Sequence, residues 1–292
     1  MQTPADKMQT SATLIRNAMT IDVEDYFQVS AFAPHISRDS WDHLPCRVER
    51  NMERILALLD EQNVKATFFT LGWIAERYPQ LVRSIIDNGH ELASHGYNHL
   101  RVSDLSPDEF REDIIRSKKL LEDLGGQSVI GYRAPSFSIG KRNLWALDTL
   151  QEAGYRYSSS IYPIQHDHYG MPDAPRFKFQ HGGQSGLVEL PPTTVNLFGR
   201  NFPASGGGYF RLFPYSFSRW LMKRVNHTDG QPCIFYFHPW EIDHEQPRQK
   251  NIGMKTRFRH YVNLDRTEPR IRSLLRDFKW GRMDQIFMED ER

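Results

Sequence analysis

Four short stretches hold the residues able to do chemistry. "SHGYNH" places His95 and His99 four residues apart. "TIDVED" carries three acids, Asp22, Glu24 and Asp25; "GYRAPS" carries Arg133, and "YFHPWE" carries His238. Two neutral imidazoles and one carboxylate make a metal site with positions left open for water and substrate. A divalent ion held this way lowers the pKa of bound water and polarises a carbonyl oxygen. A free carboxylate beside it could take the water's proton, and His238 could protonate a leaving amine. Arg133 could pair with the base carboxylate and hold it ionised. Each group alone has an ordinary explanation: a chance histidine pair, a solvated acidic loop, a structural ion pair, a histidine at a strand end. Their interest depends on whether the fold brings them together.

The elements that must do so alternate along the chain. A strand over 17–27 ends in the acids, and alternation puts Asp22 and Glu24 on one face of it. Val48, Met52, Ile55, Leu56 and Leu59 recur at helical spacing. A strand at 65–72 and a helix over 78–90, opened by Pro79 and stopped near Gly89, lead to a strand that ends at His95. The next helix starts at Ser106, with Pro107 first and Glu109 three residues on, a capping-box pattern. Strands at 129–136 and 155–163 flank a helix at 143–155; a strand at 233–241 and a helix at 267–280 close the chain. Alternating strands and helices predict a parallel sheet with helical crossovers, an α/β barrel. In such a barrel functional groups gather at the C-terminal ends of strands, where these acids, His95, Arg133 and His238 all fall.

Bulk properties narrow the function classes. Lys+Arg number 37 and Asp+Glu 36, so the formal charge of +1 gives no reason to expect nucleic acid. The two cysteines, Cys46 and Cys233, read as reduced thiols and not as a disulfide framework. The first residues lack a charged segment followed by an apolar run, and no window approaches the ~18 apolar residues of a membrane span. The expectation is a cytoplasmic protein without a transmembrane segment, open to association with a membrane-bound partner. Residues 1–14 read as a mobile polar tail and 15–292 as a single domain.

The four stretches, with "AGYRYSSSIYP" as a fifth, follow the order of five motifs in a known family. The chain resembles the NodB-homology polysaccharide deacetylases, carbohydrate esterase family 4, over most of its length. Within them it is similar to the branch containing allantoinase-like and Helicobacter-type peptidoglycan deacetylases. It is closer still to deacetylases encoded with exopolysaccharide and exosortase systems. "SGGGYFRLFPY", "RHYVNLDRTEPRIRSLLRDF" and "WGRMDQIF" resemble the DUF3473-type C-terminal extension of the latter, placed here at about 245–292.

The resemblance implies a distorted (β/α) barrel of about seven strands. It also implies a divalent metal, zinc for preference, and hydrolysis of an N-acetyl group on a saccharide. Carried over by motif, Asp22 is the base, His95 and His99 are metal ligands, Arg133 holds the base and His238 is the acid. The commonest first motif has adjacent aspartates, whereas Val23 follows Asp22 here. The metal carboxylate is then Glu24 or Asp25, with Glu24 preferred because it shares a strand face with Asp22. The aspartate that usually orients the acid histidine is replaced by Ser158; either Glu241 or another acid substitutes, or His238 is a weaker acid. Phe137, Tyr162 and Trp240 are candidate sugar-stacking walls, with Pro135 beside them, and Gly207 and Tyr209 belong to a candidate binding loop. The rival readings are an allantoinase-like amidohydrolase and a non-catalytic sugar-binding member of the fold.

Overall fold

Period-two alternation along β1 (Arg16–Val23) decides what faces inward. Met19, Ile21 and Val23 join the large apolar layer under the helices, while Ala18 joins a smaller cluster with Phe69, Ala93, Tyr157, Val188, Ile234 and Met283. The smaller cluster fills the inside of a curled sheet, and Thr20 and Asp22 continue the same strand face toward its C-terminal end. A computed structural model describes residues 15–167, 169–183 and 186–289. The expected tail, 1–14, lies outside the described residues.

After β1 come α1 (Val48–Glu61), β2 (Thr67–Thr70), α2 (Gly72–Arg77), α3 (Pro79–Asp87), β3 (Glu91–Ser94), α4 (Pro107–Gly125), β4 (Gly131–Tyr132), α5 (Trp145–Glu152) and β5 (Tyr157–Ser158). Next are β6 (Phe179–Gln180), β7 (Val188–Glu189), the hairpin β8 (Thr194–Leu197) and β9 (Arg200–Pro203), then α6 (Gly207–Leu212) and α7 (Tyr215–Arg224). The chain ends with β10 (Ile234–Phe237), α8 (Met254–Tyr261), α9 (Leu264–Asp277), β11 (Lys279–Gly281) and α10 (Met283–Phe287).

Seven strands run parallel in the order β10-β1-β2-β3-β4-β5-β7. β6 adds antiparallel to β7 and β11 adds parallel to β1, which makes a nine-stranded sheet. This is the expected α/β architecture, an open and distorted barrel. Helix starts follow local chemistry: Ser106 and Glu109 form a reciprocal capping box on α4, and Gly126 ends it in the left-handed conformation at φ 65°. The sequence reading did not foresee α2, α6, α8 or the β8–β9 hairpin. The helix expected over 267–280 runs from Leu264 and stops at Asp277, because Trp280 belongs to β11.

The inner face has a closed end and an open end. At the closed end Tyr157 Oη donates to Glu91 Oε1 (2.8 Å), Thr67 Oγ1 to Glu91 Oε2 (2.6 Å), and the Asp284 amide to Glu91 Oε2 (3.1 Å). The C-terminal segment thus plugs the barrel from below. The open end carries the strand-end groups. Among the described residues no helix is long and apolar enough to cross a membrane.

Candidate active site and metal centre

Asp22 ends the inward face of β1, and Arg133 follows β4 on the far side of the lumen. Arg133 has no exposed surface and Asp22 is 2% exposed. Arg133 Nη1 donates to Asp22 Oδ1 (2.6 Å) and to Thr20 Oγ1 (2.8 Å). Its Nε and Nη2 donate to the carbonyl and hydroxyl oxygens of Ser159 (3.2 and 2.9 Å), and its guanidinium lies over the Phe69 ring at 4.0 Å. Every edge of the arginine is therefore engaged, which fixes the direction of the charge it presents to Asp22.

Glu24, His95 and His99 converge beside this pair, with one ligand atom from each within 4.8 Å of the others. His95 Nδ1 lies 2.8 Å from the Arg133 carbonyl oxygen. A carbonyl can only accept, so Nδ1 carries the proton and Nε2 keeps its lone pair for a metal. Burial pushes His95 down to about 4, which keeps the ring neutral as a ligand must be. His99 is held in the left-handed region at φ 53°, an uncommon conformation for a non-glycine residue and frequent at functional sites. Its Nε2 stands 2.7 Å from Glu24 Oε2, yet that oxygen has no hydrogen-bond partner. Two acceptor atoms drawn together without a bond between them suit a shared cation. Burial alone would raise the Glu24 pKa, but His99, His238 and His95 outweigh it and hold the carboxyl well below the usual range. The Trp240 indole N–H fixes the other oxygen, Oε1, at 3.0 Å.

Asp25 is not brought to this cluster. It caps the turn that follows β1, accepting from the Tyr26 amide (2.7 Å), the Cys46 thiol (3.0 Å), the Arg47 amide and the Val48 amide (2.9 Å). Of the two acids considered for the ligand, Glu24 is the one placed with the histidines, and Asp25 ties the strand end to α1.

His238 approaches from the opposite side, with Nε2 3.8 Å from Asp22 Oδ2 and 3.7 Å from Glu24 Oε1. Its Nδ1 lies 2.6 Å from Glu241 Oε1, and Glu241 Oε2 accepts from Arg211 Nε at 2.6 Å. Glu241 thus occupies the orienting role that Ser158 cannot. Burial would raise Glu241, but Arg211 and His238 hold it below the ordinary carboxylate range. Burial likewise opposes a charge on His238, and Glu24, Glu241 and Asp22 outweigh it, so that its pKa is raised to about 9. Ser158 Oγ instead donates to Ser160 Oγ at 2.8 Å.

The remaining expected residues form the surroundings. Phe137 packs with Tyr162, Tyr169 and Tyr236, at centroid distances of 5.3, 6.1 and 4.9 Å. Pro135 opens the one-turn helix before it, in which Ser136 and Phe137 have φ of 55° and 50°. Phe137, Tyr162 and Trp240 do not have the exposed ring face that a sugar-stacking wall needs: they are 5%, 0% and 4% exposed. Trp240 lies between the rings of His238 and His260. Gly207 and half-buried Tyr209 start α6. The preceding Gly206 bridges to Tyr236 at φ 125°, where a Cβ would meet the Tyr236 carbonyl oxygen at 1.9 Å. The loop is therefore pinned to β10, next to His238.

Sequence reasoning missed Arg211 and Glu189 as parts of the site. An acid at the end of an apolar strand, in "GLVELPP", was the available signal for Glu189. An arginine soon after three glycines was the weaker signal for Arg211.

Comparison with known proteins divides the chain in two. Residues 39–158 match the family described as Polysaccharide deacetylase, and residues 159–288 match the Domain of unknown function DUF3473. The first match contains His95, His99 and Arg133; the second contains Glu189, Arg211, His238 and Glu241. The DUF3473 match begins at residue 159 and includes β6, β7 and β10 of the main sheet, well before the extension placed at about 245–292. A peptidoglycan-N-acetylglucosamine deacetylase of Bacillus cereus is 38% identical over 113 residues, 35% of this chain and 41% of that protein. A peptidoglycan deacetylase of Helicobacter pylori is 27% identical over 113 residues, 39% of this chain and 38% of that protein. The chain spans less than half the length of these relatives. A crystal structure from Mycobacterium smegmatis, of a protein assigned as a polysaccharide deacetylase, superposes with a TM-score of 0.56 at 21% identity. It covers 94% of this chain and 93% of that one, and the two share the fold.

Proposed function

We propose that this chain, whose residues 39–158 match the polysaccharide deacetylase family and 159–288 the DUF3473 domain, is a metal-dependent N-deacetylase. Its substrate in this reading is an N-acetylated saccharide of a bacterial exopolysaccharide or its precursor. The observation that carries the reading is one open barrel end with three separate devices: Glu24–His95–His99, Asp22–Arg133 and His238–Glu241–Arg211.

Two histidines and a carboxylate fit a divalent ion, with zinc preferred for this donor set. When bound, the ion acidifies water and polarises the acetyl carbonyl. Asp22 takes the proton of the attacking water, and Arg133 keeps that carboxylate charged and aimed. The water oxygen adds to the amide carbon as the C–N bond breaks. His238 gives its Nε2 proton to the departing amine, so acetate and a free amino sugar leave. Glu241 stabilises the imidazolium before the transfer, and Arg211 keeps Glu241 ionised.

The non-catalytic reading draws its weight from Ser158, and the Glu241 contact with His238 supports the catalytic one instead. The test is acetate release across N-acetylglucosamine oligomers, peptidoglycan fragments, lipid-linked sugars and nucleotide sugars, with allantoin as the amidohydrolase control. Release from a saccharide supports the proposal. Ring opening of allantoin without any acetate release refutes it.

A further inference from the structure

Glu189 is fully buried, carries a carboxylate and is not used in the chemistry above. It lies in β7 directly opposite Ser158 of β5 in the parallel register. That register delivers its Oε1 to the turn following β5, where it accepts from the Ser160 amide (2.7 Å) and the Ile161 amide (2.8 Å). The same turn carries what holds Arg133. Ser159 supplies a carbonyl and a hydroxyl to the guanidinium, and Ser160 Oγ accepts from the Ala134 amide at 2.9 Å. Arg133 in turn aims Nη1 at Asp22.

We infer that Glu189 is a positioning residue, fixing the turn at 159–161 and through it the Arg133–Asp22 pair. The inference rests on the deacetylase reading of that pair. Removing the carboxylate leaves two interior amides without their acceptor, and the turn must rotate to satisfy them. Arg133 is buried on all sides, so water cannot replace the Ser159 contacts if they move. A catalytic group displaced by about 1 Å loses on the order of 100-fold in rate. Glutamine at this position keeps an acceptor oxygen for both amides.

The test compares Glu189→Ala and Glu189→Gln in full-length, metal-loaded protein. Glu189→Ala is expected to lower kcat about 10- to 100-fold, with KM and metal stoichiometry unchanged. Glu189→Gln should recover most of kcat. If Glu189→Ala does not fold, Glu189→Asp carries the test, because its carboxylate falls one methylene short of the amides and should lower kcat in the same way. A second readout does not need activity. The Arg133 Nε–H resonance, identified by its loss in Arg133→Lys, should move in the Ala or Asp variant and return in Gln. A parent that releases no acetate while this signal behaves as stated sinks the deacetylase reading and leaves the positioning role supported. An unmoved signal, or an Ala variant with kcat within twofold of an active parent, overturns the positioning role. So does a Gln variant as slow as Ala.

Discussion

Asp22 and Glu24 sit two residues apart on one strand face and meet different partners. Asp22 meets an arginine that is never neutral; Glu24 meets imidazoles. This is why two close carboxylates can share one strand end. Period-two alternation sufficed to prefer Glu24, but not to show that Asp25 is occupied with backbone amides of α1, because those partners arrive from 21 to 23 residues later in the chain. His95, Arg133 and His238 were legible because each directly follows a strand, and His99 by its spacing from His95. Glu241 was only one option for the orienting acid, since nothing in the sequence shows that the turn after β10 folds it back onto His238. That contact yields a prediction. His238 must be protonated to act as an acid, and its pKa is raised to about 9, so turnover should fall as pH rises through that value. Glu241→Gln removes part of what raises it. The alkaline limb of the pH–rate profile should move to lower pH, with kcat down about 10- to 100-fold. An unmoved limb would show that Glu241 does not set the acid strength of His238.

At the scale of elements, the long amphipathic helices and the strands β1, β2, β3 and β10 were readable, since their apolar periods identify them; the four-residue β8 and β9 were not. The two-residue β4 and β5 lie inside the longer strands expected at 129–136 and 155–163, whereas β6 was not separable from a loop by pattern. The stretch "GLVELPPTTV" divides at its two prolines, whose missing amide donors cannot continue a ladder, so β7 and β8 enter different sheets. The glycine-rich segment was read as a binding loop or a plain surface turn, yet it is pinned to β10 ahead of α6. Its glycines are required: at Gly206 both the φ of 125° and the approach of Tyr236 exclude a side chain. Gly206→Ala should therefore lower stability by about 2 kcal/mol or more in urea unfolding, and lower kcat with it, as β10 carries His238. A stability change within about 0.5 kcal/mol would show that the loop yields without cost.

At the scale of the molecule, β1 with Asp22 and Glu24, the deacetylase match and the DUF3473 match together build one barrel. His95, His99 and Arg133 come from the first match, and His238 and Glu241 from the second. The closed end of the barrel is joined across the same two regions, where Glu91 meets the Asp284 amide. Burial, then the Asp284 charge, raises the Glu91 pKa above the ordinary carboxylate value. The folded state therefore holds that proton more tightly than the unfolded chain. Its stabilising effect is complete at acid pH and is lost as pH rises through the folded pKa. The melting temperature should accordingly fall between about pH 4.5 and pH 7, and Glu91→Gln should flatten the fall; an equal slope in both proteins would contradict the assignment. The central claim is that this barrel end hydrolyses an N-acetyl group with a metal held by Glu24, His95 and His99 and a base at Asp22. The most direct measurement is acetate release from N-acetylated saccharides alongside metal content, for the parent, His95→Ala and Asp22→Asn. The account predicts release by the parent that stops on chelation and returns with zinc, an inactive His95→Ala that does not retain metal, and an inactive Asp22→Asn that does. Full-rate release by Asp22→Asn, or metal retained by His95→Ala as well as by the parent, would contradict it.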